Sequence, residues 1–189
     1  RYEAETDKKT VVNLTQHSYF NLSAGLNRDI LSHEITIDAD SYLPVNRTLI
    51  PTGELTSVGG TPFDFRASKR VGDDINEEDI QLTFGNGYDH CWVLNKQDEG
   101  IRIVASAYDP ISGRLLEVSS DQPGIQFYSG NFLDGTLESK DGGNYEFRSG
   151  FCLETQHYPN SPNQESFPSV ILNPGEKYDT KTIFRFSIR

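Results

Sequence analysis

Short runs with the two-residue alternation of a β-strand, broken at close intervals by turn-forming residues, occupy almost the whole chain and leave little room for another architecture. His33 to Asp38 reads HEITID, which places Ile35 and Ile37 on one side of an extended backbone. Tyr88 to Leu94 and Ile101 to Tyr108 read as strands, and the turn DPISG at Asp109 to Gly113 joins the second to Arg114 to Ser120 as a hairpin. Thr10 to Leu14, Gln126 to Ser129, Val170 to Leu172 and Thr182 to Ile188 are further strands, the last two separated by the turn NPGE. Ser41 to Leu55 carries Pro44 and Pro51 and reads as loop with a short strand. Ser139 to Asn144 is a polar, glycine-rich loop, and Arg66 to Asp79 is the one stretch with helical character, expected as a short surface helix or a loop. Sixteen glycines and nine prolines in 189 residues supply the turns. The fold class that follows is all-β, a single β-sandwich domain over residues 1–189 without internal repeat.

The charge balance narrows the partners. Seventeen basic against 28 acidic residues give a formal net charge of −11, so neither nucleic acid nor an anionic membrane surface would be drawn to the chain. No run is long or apolar enough to span a bilayer. Two cysteines, Cys91 and Cys152, are too few for a disulfide framework and read as buried thiols in preference to one bridge.

Chemistry enters at two places. His17 stands in NLTQHSYFNL, where it shares a face with Thr15 and Tyr19 if the segment is extended. A histidine exchanges protons near neutral pH, although a lone one is more often a core residue bonded to backbone. Glu154 stands in FCLETQHY, on the strand face of Cys152 and Gln156 and opposite to Phe151, Leu153 and Thr155. A carboxylate in an otherwise uncharged strand is either a residue of a solvated edge face or, if buried, a group with a raised pKa. Together the two form a candidate general acid and base.

Six segments in order, NLTQHSYFNL, TPFDF, GYDHCWVL, PGIQFYSGNFLDG, FCLETQHYPN and LNPGEKYDTKTIFRFS, resemble the aldose 1-epimerase (galactose mutarotase) family over essentially the whole chain. The resemblance implies a galactose mutarotase-like supersandwich that is incomplete at its N-terminal side, the chain matching the C-terminal portion of a longer mutarotase domain. It implies catalytic roles for His17 and Glu154, and hydrogen bonds from Asp89 and Gln126 to sugar hydroxyls. The amide of Gln126 both donates and accepts, as a hydroxyl does. The partner implied is a small sugar, with no cofactor and no metal.

The activity implied is interconversion of the α and β anomers of free aldohexoses such as galactose and glucose. Opening the hemiacetal ring needs a proton removed from the C1 hydroxyl and one given to the ring oxygen, so an acid–base pair suffices. Two alternatives stand beside it: a sugar 6-phosphate 1-epimerase, which would want arginines near the site, and a catalytically inert carbohydrate-binding sandwich. Alternation in YDHC separates His90 from Asp89 and Cys91, which argues against a metal site there. The sequons at Asn13, Asn21 and Asn46 read as chance matches, since two of them flank His17. Tyr19, Phe20, Tyr88, Trp92, Phe127 and Tyr128 receive no assignment, aromatic residues of a sandwich being more often core.

Overall fold

A computed structural model describes residues 1–24, 28–140 and 142–189. Its strands in chain order are β1 (Tyr2–Ala4), β2 (Thr10–Val11), β3 (Glu34–Ile37), β4 (Ala39–Leu43), β5 (Thr56–Ser57), β6 (Lys69–Arg70), β7 (Asp89–Leu94), β8 (Arg102–Tyr108), β9 (Arg114–Ser120), β10 (Gly124–Tyr128), β11 (Cys152–Gln156), β12 (Ile171–Leu172), β13 (Tyr178–Thr180) and β14 (Thr182–Ile188). Two five-stranded antiparallel sheets run β11-β10-β7-β4-β5 and β14-β9-β8-β3-β6. The pairs β1–β13 and β2–β12 add two small ribbons. The all-β sandwich expected from the alternation is the fold observed. Among the described residues no helix is long and apolar enough to cross a membrane.

The sandwich is held by one continuous apolar cluster fed from both sheets. Ile35 and Ile37 of β3, Ala107 of β8, and Leu116 and Val118 of β9 meet Trp92 of β7, Phe127 of β10 and Leu153 of β11. Phe63 and Phe65, from the TPFDF segment, close the aromatic centre: the Phe63 ring stacks on Tyr42 at 4.3 Å, and Trp92 Nε1 donates to Phe63 O at 3.0 Å. The bond satisfies the indole N–H inside an otherwise apolar core.

Register decides what the first sheet shows to each side. Phe127 lies opposite His90 and Leu153, and Ile125 opposite Trp92 and Thr155, so this face is the core face. Tyr128 lies opposite Asp89 and Cys152, and Gln126 opposite Cys91 and Glu154, so these residues share the outer face. The lower part of the outer face is covered by a small second cluster of Leu43, Cys91, Tyr158 and Phe167. Gly124 permits that cover, because a Cβ there would stand 2.9 Å from Cys91 Sγ and 3.0 Å from the Tyr158 ring. The upper part is left to the polar residues.

Several local expectations are corrected. The strand expected at Thr10 to Leu14 is limited to Thr10–Val11, and β13 is a strand in a region that the sequence pattern assigns to a turn and its flank. Arg66 to Asp79 holds a one-turn helix, α1 (Val71–Asp74), whose Val71 is buried. A second helix, α2 (Ile80–Gly85), lies beyond that stretch. Asp79 caps it by accepting from Gln81 N at 2.7 Å, and Asn86 ends it in the left-handed region at φ 52°. Six residues are too few for a helical period to show in the sequence. Within the expected loop at Ser139 to Asn144, position 141 lies outside the described residues, and Asn144 forms an isolated bridge with Glu138. Cys91 and Cys152 are free, buried thiols.

The core makes a direct prediction. Phe63→Ala opens a large cavity between two sheets and should destabilise the protein by about 3–5 kcal/mol in urea titration. Ile111→Ala, in the exposed β8–β9 turn, should change stability by less than about 0.5 kcal/mol.

Candidate active site

The site begins with a segment that is not a strand. From Val12 to Tyr19 the backbone has no regular structure, yet it runs antiparallel beside β11 and its flanks. Side-chain and backbone ties hold it there. The Asn13 side chain both donates to His157 O and accepts from His157 N, each at 3.0 Å. Thr15 Oγ1 donates to Thr155 O at 2.9 Å. Phe20 and Phe151 exchange backbone hydrogen bonds at 2.8 and 2.9 Å. Asn21 Nδ2 donates to Ser149 O at 3.0 Å. Side chains thus replace a β-ladder along this edge, and His17, midway between the ties, is held over Cys152 and Glu154.

The resulting geometry brings the four residues singled out in the sequence to one region. His17 Nε2 lies 3.5 Å from Glu154 Oε1. On the neighbouring strands of the same face, Gln126 Nε2 donates to Asp89 Oδ1 at 2.8 Å. Gln126 Oε1 is a buried acceptor with no hydrogen-bond partner among the described residues. Tyr19 and Tyr128 flank the imidazole, with ring centroids 5.3 and 6.4 Å away. A cavity of about 930 Å³ opens beside this group; Tyr19, Phe20, Asn21 and Ser149 line it, whereas His17 and Glu154 do not.

Burial sets the electrostatics. Glu154 is 7% exposed, and its desolvation pushes the carboxyl up to about 7. His17 opposes this rise and the Asp89 charge adds to it. Asp89 is itself raised, chiefly by desolvation, against the hydrogen bond from Gln126 and the nearby His17. The His17 side chain, 54% exposed, remains open to proton exchange with solvent. The group therefore pairs a carboxyl able to titrate near neutral pH with an accessible imidazole, a combination suited to moving protons.

Asp89, His90 and Cys91 separate as the alternation required. His90 is buried among Phe63 and Tyr42, and desolvation lowers its pKa to about 3, so it is a neutral core residue. Cys91 belongs to the second cluster. Tyr88, Trp92 and Phe127 are core as well. Asn13 and Asn21 of the sequons spend their amides on the ties to the β11 segment. Sequence reasoning missed two neighbours of His17. Tyr128 is two residues beyond Gln126, and Cys152 two before Glu154; the strand period puts each on the site face, which was the available signal. Cys152 Sγ lies 3.4 Å from His17 Nδ1. His17, Cys152 and Glu154 also present ligand atoms within 4.8 Å of one another. Within that group the sulfur lies nearest Nδ1 and the carboxylate nearest Nε2.

A stability effect follows from the raised carboxyl. Below about pH 4.5 Glu154 is protonated in both folded and unfolded chains and contributes no pH-dependent term. Between about 4.5 and 7 only the unfolded chain ionises, so stability falls as pH rises, and the deficit is full above 7. Glu154→Gln should accordingly raise stability at pH 8 by up to about 3 kcal/mol, with the gain shrinking towards pH 5. Thermal melts of the two proteins at both pH values measure it.

Comparison with known proteins gives a consistent answer. The family model described as Aldose 1-epimerase matches residues 1–185. The galactose mutarotase of Homo sapiens is 50% identical over 187 residues, covering 99% of this chain and 53% of the relative. The aldose 1-epimerase of Escherichia coli (strain K12) is 39% identical over 187 residues, covering 98% and 53%. Among solved structures, a GalM/aldose epimerase homologue from C. elegans superposes with a TM-score of 0.85 at 29% identity, covering 98% of this chain and 54% of that one. A galactose 1-epimerase from Lactobacillus acidophilus does so with a TM-score of 0.81 at 31% identity, covering 98% and 52%. The chain spans about half the length of the curated relatives it matches. With its fold, its ordered motifs and nearly its whole length matched in this way, the chain belongs to the aldose 1-epimerase family.

Proposed function

We propose that this chain carries the acid–base centre of an aldose 1-epimerase that interconverts the α and β anomers of free aldohexoses such as galactose and glucose. The observation that carries the reading is the juxtaposition of His17 Nε2 and Glu154 Oε1 at 3.5 Å, beside the Asp89–Gln126 pair on the same sheet face. Family membership and the names of its relatives support the substrate class.

In this mechanism the Glu154 carboxylate takes the proton of the C1 hydroxyl while the His17 imidazolium gives one to the ring oxygen. The C1–O5 bond breaks and the open-chain aldehyde forms. Rotation about C1–C2 presents the other face of the carbonyl; Glu154 returns its proton to the carbonyl oxygen, His17 recovers the proton from O5, and the ring closes as the other anomer. No electrons leave the sugar, and the two side chains supply both proton transfers. A carboxyl near 7 is a stronger base than an ordinary glutamate yet still ionises at neutral pH. Asp89 and Gln126 hold sugar hydroxyls, with the unpartnered Gln126 Oε1 as one acceptor. Orientation between fixed groups contributes to the rate in its own right. Among the described residues the ion-pair partner of Glu154 is His17.

Polarimetry of freshly dissolved α-D-galactose and α-D-glucose tests the reading in the complete protein. Glu154→Gln should lower kcat by about 10²–10⁴-fold, or about 3–5 kcal/mol in the barrier, and His17→Asn by a similar amount. The double variant should lose far less than the sum, because both act in one proton relay. Activity should fall as the pH drops through about 7, where Glu154 takes up a proton and ceases to be a base. A Glu154→Gln variant with most of its kcat on both sugars would refute the mechanism, and sugar binding without mutarotation in the unmutated protein would establish the inert carbohydrate-binding alternative.

Asp89→Asn should raise KM, with a smaller fall in kcat than Glu154→Gln. It also removes a negative charge that holds the Glu154 carboxyl up, so the acid limb of its pH–rate profile should move to lower pH. Unchanged KM, kcat and acid limb would remove Asp89 from the site.

A further inference from the structure

The proposed mechanism asks His17 to use one nitrogen, Nε2, throughout, and a neutral imidazole can carry its remaining proton on either nitrogen. Something must keep the working nitrogen bare after it has given its proton away. Among the described residues Nδ1 faces one hydrogen-bonding atom, Cys152 Sγ at 3.4 Å. Cys152 is fully buried on β11, two residues from Glu154 and on the same face, so one strand addresses both edges of the imidazole. Tyr19 from the histidine loop and Tyr128 from β10, which lies opposite Cys152 in register, confine the ring.

We infer that Cys152 is a positioning residue for His17, accepting a hydrogen bond from Nδ1–H and so holding the neutral ring as the tautomer whose Nε2 lone pair faces the sugar. The inference rests on the acid–base reading above. Its proton accounting is closed. The imidazolium carries protons on both nitrogens; the Nε2 proton goes to the ring oxygen of the sugar; the Nδ1 proton stays, shared with sulfur; and Nε2 recovers a proton when the ring recloses. Cys152 remains a neutral thiol in every step. Burial pushes its pKa well above the ordinary thiol range, and the Glu154 and Asp89 carboxylates push it further, so it neither ionises nor competes as a base. The titratable groups that face the imidazole are thus Glu154 and Cys152 from β11, Tyr128 from β10, Asp89 from β7 and Tyr19 from its own segment.

The direct test is the tautomer of His17, read by ¹⁵N NMR of the ring in the unmutated, complete protein at a pH where the imidazole is neutral. The expected result is a protonated Nδ1 and an unprotonated Nε2. In Cys152→Ala the ring should become a mixture of tautomers, with kcat on α-D-galactose lowered about 3–10-fold and KM changed less than about twofold. Cys152→Ser restores a hydroxyl that accepts the same hydrogen bond, and should recover most of the lost kcat. A neutral His17 protonated on Nε2 in the unmutated protein would overturn the inference, as would a Cys152→Ala variant that is folded and unchanged in both tautomer and kcat. The tautomer is measured without turnover, so its result stands apart from that of Glu154→Gln in polarimetry: loss of the catalytic reading and loss of the positioning role give different patterns.

Discussion

The edge of β11 is the constraint on which the site depends. A strand edge carries unpaired backbone groups that must find partners. Here they are met by the segment from Asn13 to Asn21, through side-chain amides, a threonine hydroxyl and one reciprocal backbone pair instead of a continuous ladder. A ladder would have forced strict alternation on the segment. Discrete ties leave the residues between them free to take the conformation that lays the imidazole over the sheet. The irregular backbone around His17 is in this sense required by the geometry of the site.

The two faces of the same sheet explain where the candidate acid–base group sits. On one side Phe127, Ile125, Trp92 and Leu153 enter the core, and any polar residue there, as His90 shows, is driven to its neutral form. On the other side the cover is incomplete. Leu43, Cys91, Tyr158 and Phe167 close the lower half, and the upper half keeps Asp89, Gln126 and Glu154 in a partly desolvated strip. Complete burial would have made an ionised Glu154 untenable, and full solvation would have left it an ordinary weak base. Its residual 7% exposure, with the histidine above it opposing the rise, leaves a carboxyl poised near neutrality. The same desolvation that brings it near neutrality disfavours its charged form in the folded protein.

The strand period accounts for much of this arrangement. Alternation in HEITID put Ile35 and Ile37 inward, and both are fully buried. Alternation in YDHC divided His90 from Asp89 and Cys91, and they do lie on opposite faces. It placed Glu154 with Cys152, and both meet the imidazole. The same rule, carried across to Gln126 and Tyr128, would have added Tyr128 to the site, but it needed the register between β10 and β11. The short helix at Ile80–Gly85 and the strand at Tyr178–Thr180 escaped because each is too brief for a period, and the first is defined by its caps.

What the sequence determined by itself is therefore local and periodic: which residues are extended, which side of a strand each occupies, where turns interrupt, and, through its ordered motifs, the family. These depend on backbone geometry and on neighbours a few residues away. Tertiary structure alone decided the approach of Asn13–Asn21 to Phe151–His157, segments some 140 residues apart whose union rests on side-chain hydrogen bonds that no spacing encodes. It also decided how much water each polar group loses, and with it the pKa of Glu154. Desolvation is a property of everything packed around a group, so it exists only once the sheets have met and the small cluster at Leu43 has closed half of the outer face.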